Sequence, residues 1–173
     1  MRIQHMTNLQ AREPLERAKR LFLEKPVAAR RPNTAATAVW RNGLSCEVSG
    51  PGAEWAITDM PEPMGGAGSN PGWLLRAGIA SCAATAIAMR AAMQGIALDT
   101  LEVKVESESD ARGLVGIPDA PTEFGNLRVS IRIGAVGVDA ARLRELAAWG
   151  EAHSPVSCTL RAQPSLAVGI EVV

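Results

Sequence analysis

The sequence predicts an α+β domain in which helices pack against an antiparallel sheet. Three observations carry that prediction. Leu101–Glu108 and Leu127–Ile133 each alternate apolar with polar residues, the mark of strands wet on one face. Ala77–Met89, AGIASCAATAIAM, is a charge-free run between Arg76 and Arg90 and reads as one long buried helix. Turn signals at Asn42-Gly43 and Ser49-Gly50-Pro51-Gly52 divide the residues before that helix into short strands.

Taken in order, residues 1–33 read as an arm. Glu13 and Pro14 open a helical stretch with Leu15, Ala18, Leu21 and Phe22 on one face, and Pro26 stops it. Pro26 to Pro32 is a basic, irregular linker, and the domain proper spans 34–173. Ala36–Arg41, Leu44–Ser49 and Glu54–Thr58 are the three expected strands. Asn42-Gly43 is expected to form a type I′ turn, because both residues tolerate positive φ. Met60 to Pro71 is too rich in Pro and Gly for helix or central strand. Asn70 then caps a helix whose first position is Pro71 and which ends before Gly95.

The charge-free run falls short of the ~20 residues of a membrane span. No membrane association is expected. A helix so apolar must instead be covered on nearly every side, and one chain has little material for that, so a dimer sharing the burial is expected. Beyond it come the two alternating strands, with Gly113–Gly125 as a loop between them. Asp139 caps a helix through Glu151, Ser154-Pro155 starts a short helix, and Leu166–Val173 is expected to close the sheet as a final strand.

Composition narrows the chemistry. The chain has 173 residues with 18 Lys+Arg against 18 Asp+Glu, so it lacks the basic excess of a nucleic-acid footprint. Hydrophobic residues make up 47% but aromatics only 3%, which disfavours a base-stacking platform. Cys46, Cys82 and Cys158 are too few and too scattered for a disulfide scaffold or a structural zinc site. No metal and no cofactor are expected. The N-terminal stretch has no signal-peptide core, and a reducing cytoplasm is the expected location.

From the residues alone, few groups are candidates for chemistry. His153 is the only histidine outside the arm, and a lone histidine is usually structural. Gly65-Gly66-Ala67-Gly68 precedes a helix start and suits either an anion cradle or a plain loop, but it lacks the P-loop lysine. Cys46 sits in a strand as a small packing residue. Cys82 lies mid-helix on a face with Leu75, Gly78, Ile79, Ala86 and Met89. It is either an inert core thiol or a reactive one.

Three motifs together resemble one known family. GGAGSNPGWLLRAGIASC, residues 65–82, is similar to the glycine loop, Asn-Pro helix start and cysteine helix of the OsmC/Ohr proteins, which are peroxiredoxin-like. HSPVSCTL, residues 153–160, resembles their second motif, and Arg41-Asn42-Gly43 resembles their Arg-Asp-Gly hairpin. The resemblance covers Thr34–Val173. It implies an OsmC-like fold with the long helix buried at the centre of an intertwined homodimer. It also implies that Cys82 is the peroxidatic thiol, attacking organic hydroperoxides, with Arg41 as the activating cation. The implied partners are the hydroperoxide and a thiol reductant.

Two positions depart from the family pattern. Ser154 stands where the second, resolving cysteine is expected, and a serine cannot form that disulfide. Cys158 lies four residues further on, ~6 Å along a helix, whereas a disulfide needs Cβ atoms within about 4.5 Å. Gly72 replaces an acidic residue that pairs with the arginine in the hydroperoxide-resistance branch. Three readings follow: a thiol peroxidase using an external thiol or Cys158, a non-catalytic dimer binding an apolar small molecule, and a structural dimer whose arm docks on a partner.

Overall fold

The computed structural model describes Thr7–Val173; the first six residues of the arm lie outside the described residues. The chain divides into two compact units, one comprising the residues up to Arg12 with Ile79–Val105 and Arg128–Val173, the other Glu13–Gly78 with Glu106–Leu127.

Helix α1 (Arg12–Glu24) lies in the second of these from Glu13 onward, and a single 3-10 turn follows at Pro26–Ala29, where an irregular linker is predicted. Strands β1 (Thr37–Asn42), β2 (Ser45–Ser49) and β3 (Trp55–Thr58) form an antiparallel sheet in chain order, within a residue of expectation. The hairpin turn differs from the expected one. Asn42 pairs with Ser45, so the loop is Gly43-Leu44, and of the predicted turn pair only Gly43 takes positive φ, +52°. The register slips between Trp40 and Asn42, leaving Arg41 as the extra residue of a β-bulge. The Trp40 indole N–H donates to the Gly43 carbonyl at 3.0 Å, which holds the turn in its shifted frame.

The glycine-rich segment after β3 is pinned rather than free. Asp59 is buried, and its carboxylate accepts the N–H of Met60 at 2.7 Å and of Ala67 at 3.0 Å. The loop thus folds around the chain's own anion. A bridge between Thr58 and Ser69 returns it to β3. Gly68 passes so close that a Cβ there would lie 2.6 Å from the Ile57 carbonyl carbon. Helix α2 (Pro71–Met93) then begins as predicted, with Asn70 Oδ1 accepting the Gly72 N–H at 2.8 Å.

The other unit holds the rest of α2. Ile79, Ala83, Ile87 and Ala91, four residues apart, form its buried ridge. The expectation of cover on every side is not met within one chain: Ser81, Thr85 and Met89 on the far side are exposed. At 23 residues, with mean hydropathy 1.3 over 18 of them, α2 is longer than the charge-free run and has the length and composition of a membrane span. Its ridge shows a different role. Ile87 and Ala91 cluster with Leu146 and Ala147 of α4 (Ala140–Ala152), against Ile96, Leu98, Leu101, Val103, Ile131 and Ile133. The ridge makes α2 the core helix of this unit.

Strands β4 (Thr100–Glu108) and β5 (Gly125–Gly134) pair with each other and contribute residues to both units. Arg132 bonds Glu102 and Asn126 bonds Glu108, so the two strands run in opposite directions. The connection between them opens with a one-turn helix α3 (Ala111–Leu114) capped by Asp110, where only loop is predicted. Asp139 caps α4 by accepting the Arg142 N–H at 3.0 Å, as expected. Helix α5 (Pro155–Ala162) ends at Gln163 in the left-handed region.

Leu166–Val173 forms no strand, contrary to the sequence prediction. Its alternating Leu166, Val168, Ile170 and Val172 all remain exposed. Alternation makes a strand only where a neighbouring edge supplies hydrogen bonds, and among the described residues none is paired with the segment.

Candidate functional site

Cys82 faces a cavity of about 470 Å³ built from α2, α4 and the start of α5. Four residues of α2 at helical spacing, Cys82, Ala86, Met89 and Met93, supply one wall, and Trp149, His153 and Pro155 supply the other. Cys82 is half-buried. It is therefore neither the sealed core thiol of the inert reading nor a surface thiol. The lining is dominated by carbon and sulfur, so apolar ligands are the ones this cavity suits.

The opposite wall is a stack of planar groups. Trp149 on α4 and His153 at its C-cap lie with ring centroids 3.9 Å apart and planes 12° from parallel. The Arg90 guanidinium carbon sits 4.4 Å from the centroid of the Trp149 ring, a cation–π contact. His153 Nδ1 lies 2.7 Å from the Trp149 carbonyl, which fixes the ring at the end of α4. Arg90 and Trp149 are absent from the sequence-derived candidates. The available signal is that Arg90 closes the charge-free run one position beyond Met89.

Ser154 lies between two lining residues, His153 and Pro155. It occupies the N-cap position of α5, and its carbonyl accepts the Cys158 N–H at 2.8 Å. The predicted capping by its hydroxyl does not occur: Ser154 Oγ is wholly buried and has no hydrogen-bond partner. Ser157 Oγ, one turn into α5, is in the same state.

Cys158 does not line the cavity. It is exposed, and its thiol donates to the Ala152 carbonyl at 3.1 Å. Arg161 grips Glu151 with two hydrogen bonds, one of them 2.6 Å, and so ties α5 to α4. The Glu151 carboxylate, and to a lesser degree Cys158, raise the Arg161 pKa above its ordinary value, so this latch keeps its cation at any working pH.

Arg41 belongs to the other unit. Its Nε and Nη2 both donate to Glu47 Oε2, at 3.1 and 2.8 Å, across the β1–β2 hairpin. Cys46 is half-buried in β2, in register with Trp40 on one side and Thr58 on the other. Gly72 packs against the Phe124 ring, where a Cβ would lie 3.0 Å from its Cε1. Among the described residues no group of three or more His, Cys, Asp or Glu is arranged to hold a metal.

Comparison with known proteins agrees with this architecture. A family model described as OsmC-like protein matches residues 64–169. An OsmC like protein from Mycoplasma pneumoniae superposes with a TM-score of 0.65 at 16% identity, over 76% of this chain and 89% of that one. An organic hydroperoxide resistance protein OsmC from Legionella pneumophila gives 0.57 at 25% identity, over 76% and 91%. The organic hydroperoxide resistance protein OhrB of Bacillus subtilis gives 0.51 at 23%, over 75% and 91%. A search of curated proteins finds no match.

Proposed function

The chain belongs to the OsmC-like family, and from that premise we propose that it is a thiol-dependent peroxidase acting on organic hydroperoxides through Cys82. The observation that carries the reading is the half-buried Cys82 on the wall of an apolar cavity. A hydroperoxide with a hydrocarbon body is drawn into such a space by burial of its apolar surface.

In the reaction the Cys82 thiolate attacks the outer oxygen of R–O–OH. An S–O bond forms and the O–O bond breaks. Sulfur is oxidised to the sulfenic acid, and the alkoxide takes a proton to leave as the alcohol ROH. A small external thiol then displaces water from the sulfenic acid to give a mixed disulfide. A second thiol releases the Cys82 thiol and a disulfide of the reductant. The external thiol follows from Ser154, which cannot resolve the sulfenic acid, and from Cys158, whose thiol is turned to the Ala152 carbonyl.

Arg41 keeps the role of activating cation that the resemblance assigns it. Its ion pair with Glu47 lies at the surface and is worth ~0–1 kcal/mol. The reading also includes a homodimer. Trp40, Trp55 and Trp73 are each at least half exposed in the single chain, apolar side chains that a second copy would cover. A second reading, an apolar-ligand binder without turnover, is favoured by the engagement of Arg41 with Glu47.

Following thiol loss after mixing reduced protein with cumene hydroperoxide separates the two. The peroxidase reading expects one thiol to be lost far faster than a free thiol in solution. The loss disappears in Cys82→Ser, persists in Cys46→Ser and slows in Arg41→Ala. Loss no faster than that of a free thiol refutes it. Light scattering after size exclusion tests the dimer, and a monomeric mass at assay concentration would remove it.

A further inference from the structure

The cavity holds a cation without a counterion. Arg90 lines it and stacks on Trp149, yet its Nε is buried and makes no hydrogen bond. No Asp or Glu lines the cavity, and no ion pair of Arg90 occurs among the described residues. The six residues outside them, Met-Arg-Ile-Gln-His-Met, add no carboxylate side chain. The Arg90 guanidinium is thus held by stacking rather than by an ion pair, and a charged acceptor is the partner that its remaining N–H groups bind best.

The rest of the cavity says what surrounds such an acceptor. Met89, Met93, Ala86 and Trp149 provide an adaptable apolar sleeve, with methionines able to fit irregular shapes. Arg90 follows Cys82 by eight residues on the same helix, ~12 Å along its axis. Both residues line the cavity, so one ligand can span from the guanidinium to the thiol.

We propose that Arg90 is the anion anchor of this cavity, and that its ligand is an amphipathic organic carboxylate whose charged end binds Arg90 while its apolar body runs toward Cys82. The inference rests on the cavity being the substrate pocket of Cys82 and adds a specificity residue to it. Arg90 is a binding residue, not a participant in O–O cleavage. A planar, bidentate guanidinium suits a carboxylate better than an ammonium would.

The test separates binding from turnover by using full-length Cys82→Ser protein, which has no peroxidatic thiol. 4-Phenylbutyrate and its uncharged analogue 4-phenylbutanol are titrated by calorimetry. The acid is expected to bind at least tenfold more tightly than the alcohol. Adding Arg90→Gln is expected to bring the two within about twofold, while Arg90→Lys retains a reduced preference. Should Arg90→Gln fail to fold, Met93→Glu places a carboxylate one turn from Arg90 on the same wall and is expected to abolish the preference in the same way. Equal affinities in the Arg90 protein, or a preference that survives both substitutions, overturns the proposal. Failure of the peroxidase reading leaves these binding results unchanged. Thiol loss with neutral hydroperoxides but no acid preference sinks this inference alone.

Discussion

Replacing Gly150 by alanine sets two physical effects against each other. In a helix interior alanine is favoured over glycine by ~1 kcal/mol, so propensity alone predicts a gain in stability. Gly150 is buried on α4 against α2, however, and a Cβ there would lie 2.7 Å from Ile87 Cα and 2.8 Å from Ile87 N. Carbon contacts are normally about 3.5–4.0 Å. The obstacle is backbone, which no rotamer change relieves, so α4 must retreat by roughly 1 Å. Overpacking of this kind costs about 1–3 kcal/mol, and a backbone clash belongs near the upper end. After the propensity gain, the expected net loss is about 1–2 kcal/mol, which for a chain of this size lowers Tm by about 2–8 °C. The control is Ala148→Gly, exposed on the same helix, expected to lose ~1 kcal/mol from propensity alone. Urea unfolding at fixed protein concentration, so that any dimer contributes equally, measures both. If the reasoning is right, the two opposite exchanges both destabilise. A Gly150→Ala protein as stable as its parent, or more so, refutes the close α2–α4 approach.

Three further outcomes follow from single groups. Ser154→Ala removes a buried hydroxyl that has no partner, so stability is expected to hold or rise by up to ~1 kcal/mol. A loss of ~1 kcal/mol, typical of removing a working N-cap, contradicts the geometry seen here. Asp59→Ala leaves the Met60 and Ala67 N–H groups without their acceptor and is expected to cost about 1–3 kcal/mol. Limited proteolysis should then cut first within 60–68, and an unchanged cleavage pattern argues against the pinned loop. The Asp110 carboxyl is held below its ordinary pKa by its side-chain hydrogen bonds from Arg112 and then by the Arg112 backbone N–H. A carboxyl depressed in the folded state stabilises above its unfolded pKa, and the contribution is lost as pH falls through the folded value. NMR titration of Asp110 should give a midpoint below the ~3.9 of a free aspartate, rising toward it in Arg112→Gln. A midpoint at or above that value removes the pairing.

Much of the fold is legible in the sequence because its signals are local. Asn70 before Pro71 starts α2, Asp139 starts α4, and Ser154-Pro155 starts α5, each at the predicted position. A cap or a first-turn proline acts within one turn of backbone, so spacing alone reveals it. Local patterns mislead where the outcome depends on a distant partner. Asn42-Gly43 has the composition of a type I′ turn, yet the cross-strand register moves the turn by one residue and bulges Arg41. Leu166–Val173 has the alternation of a strand but pairs with no edge among the described residues.

The candidate site divides along the same line. Cys82 and Ser154 are found by motif, since the helix and turn that carry them are encoded around them. Arg90 and Trp149 lie 59 positions apart in a chain whose sequence never marks them as neighbours. Their stack exists because Ile87 and Gly150 let α2 and α4 approach backbone to backbone. The sequence by itself determines the α+β class, the charge-free helix and the position of the thiol on it, because helix periodicity and caps are short-range properties. Only the tertiary structure decides that the glycine loop closes on Asp59, that Ser154 is buried without a partner, and that an unpaired cation shares the cavity of Cys82. These features are contacts between segments far apart in the chain, and such contacts are settled by packing rather than by any residue's neighbours in sequence.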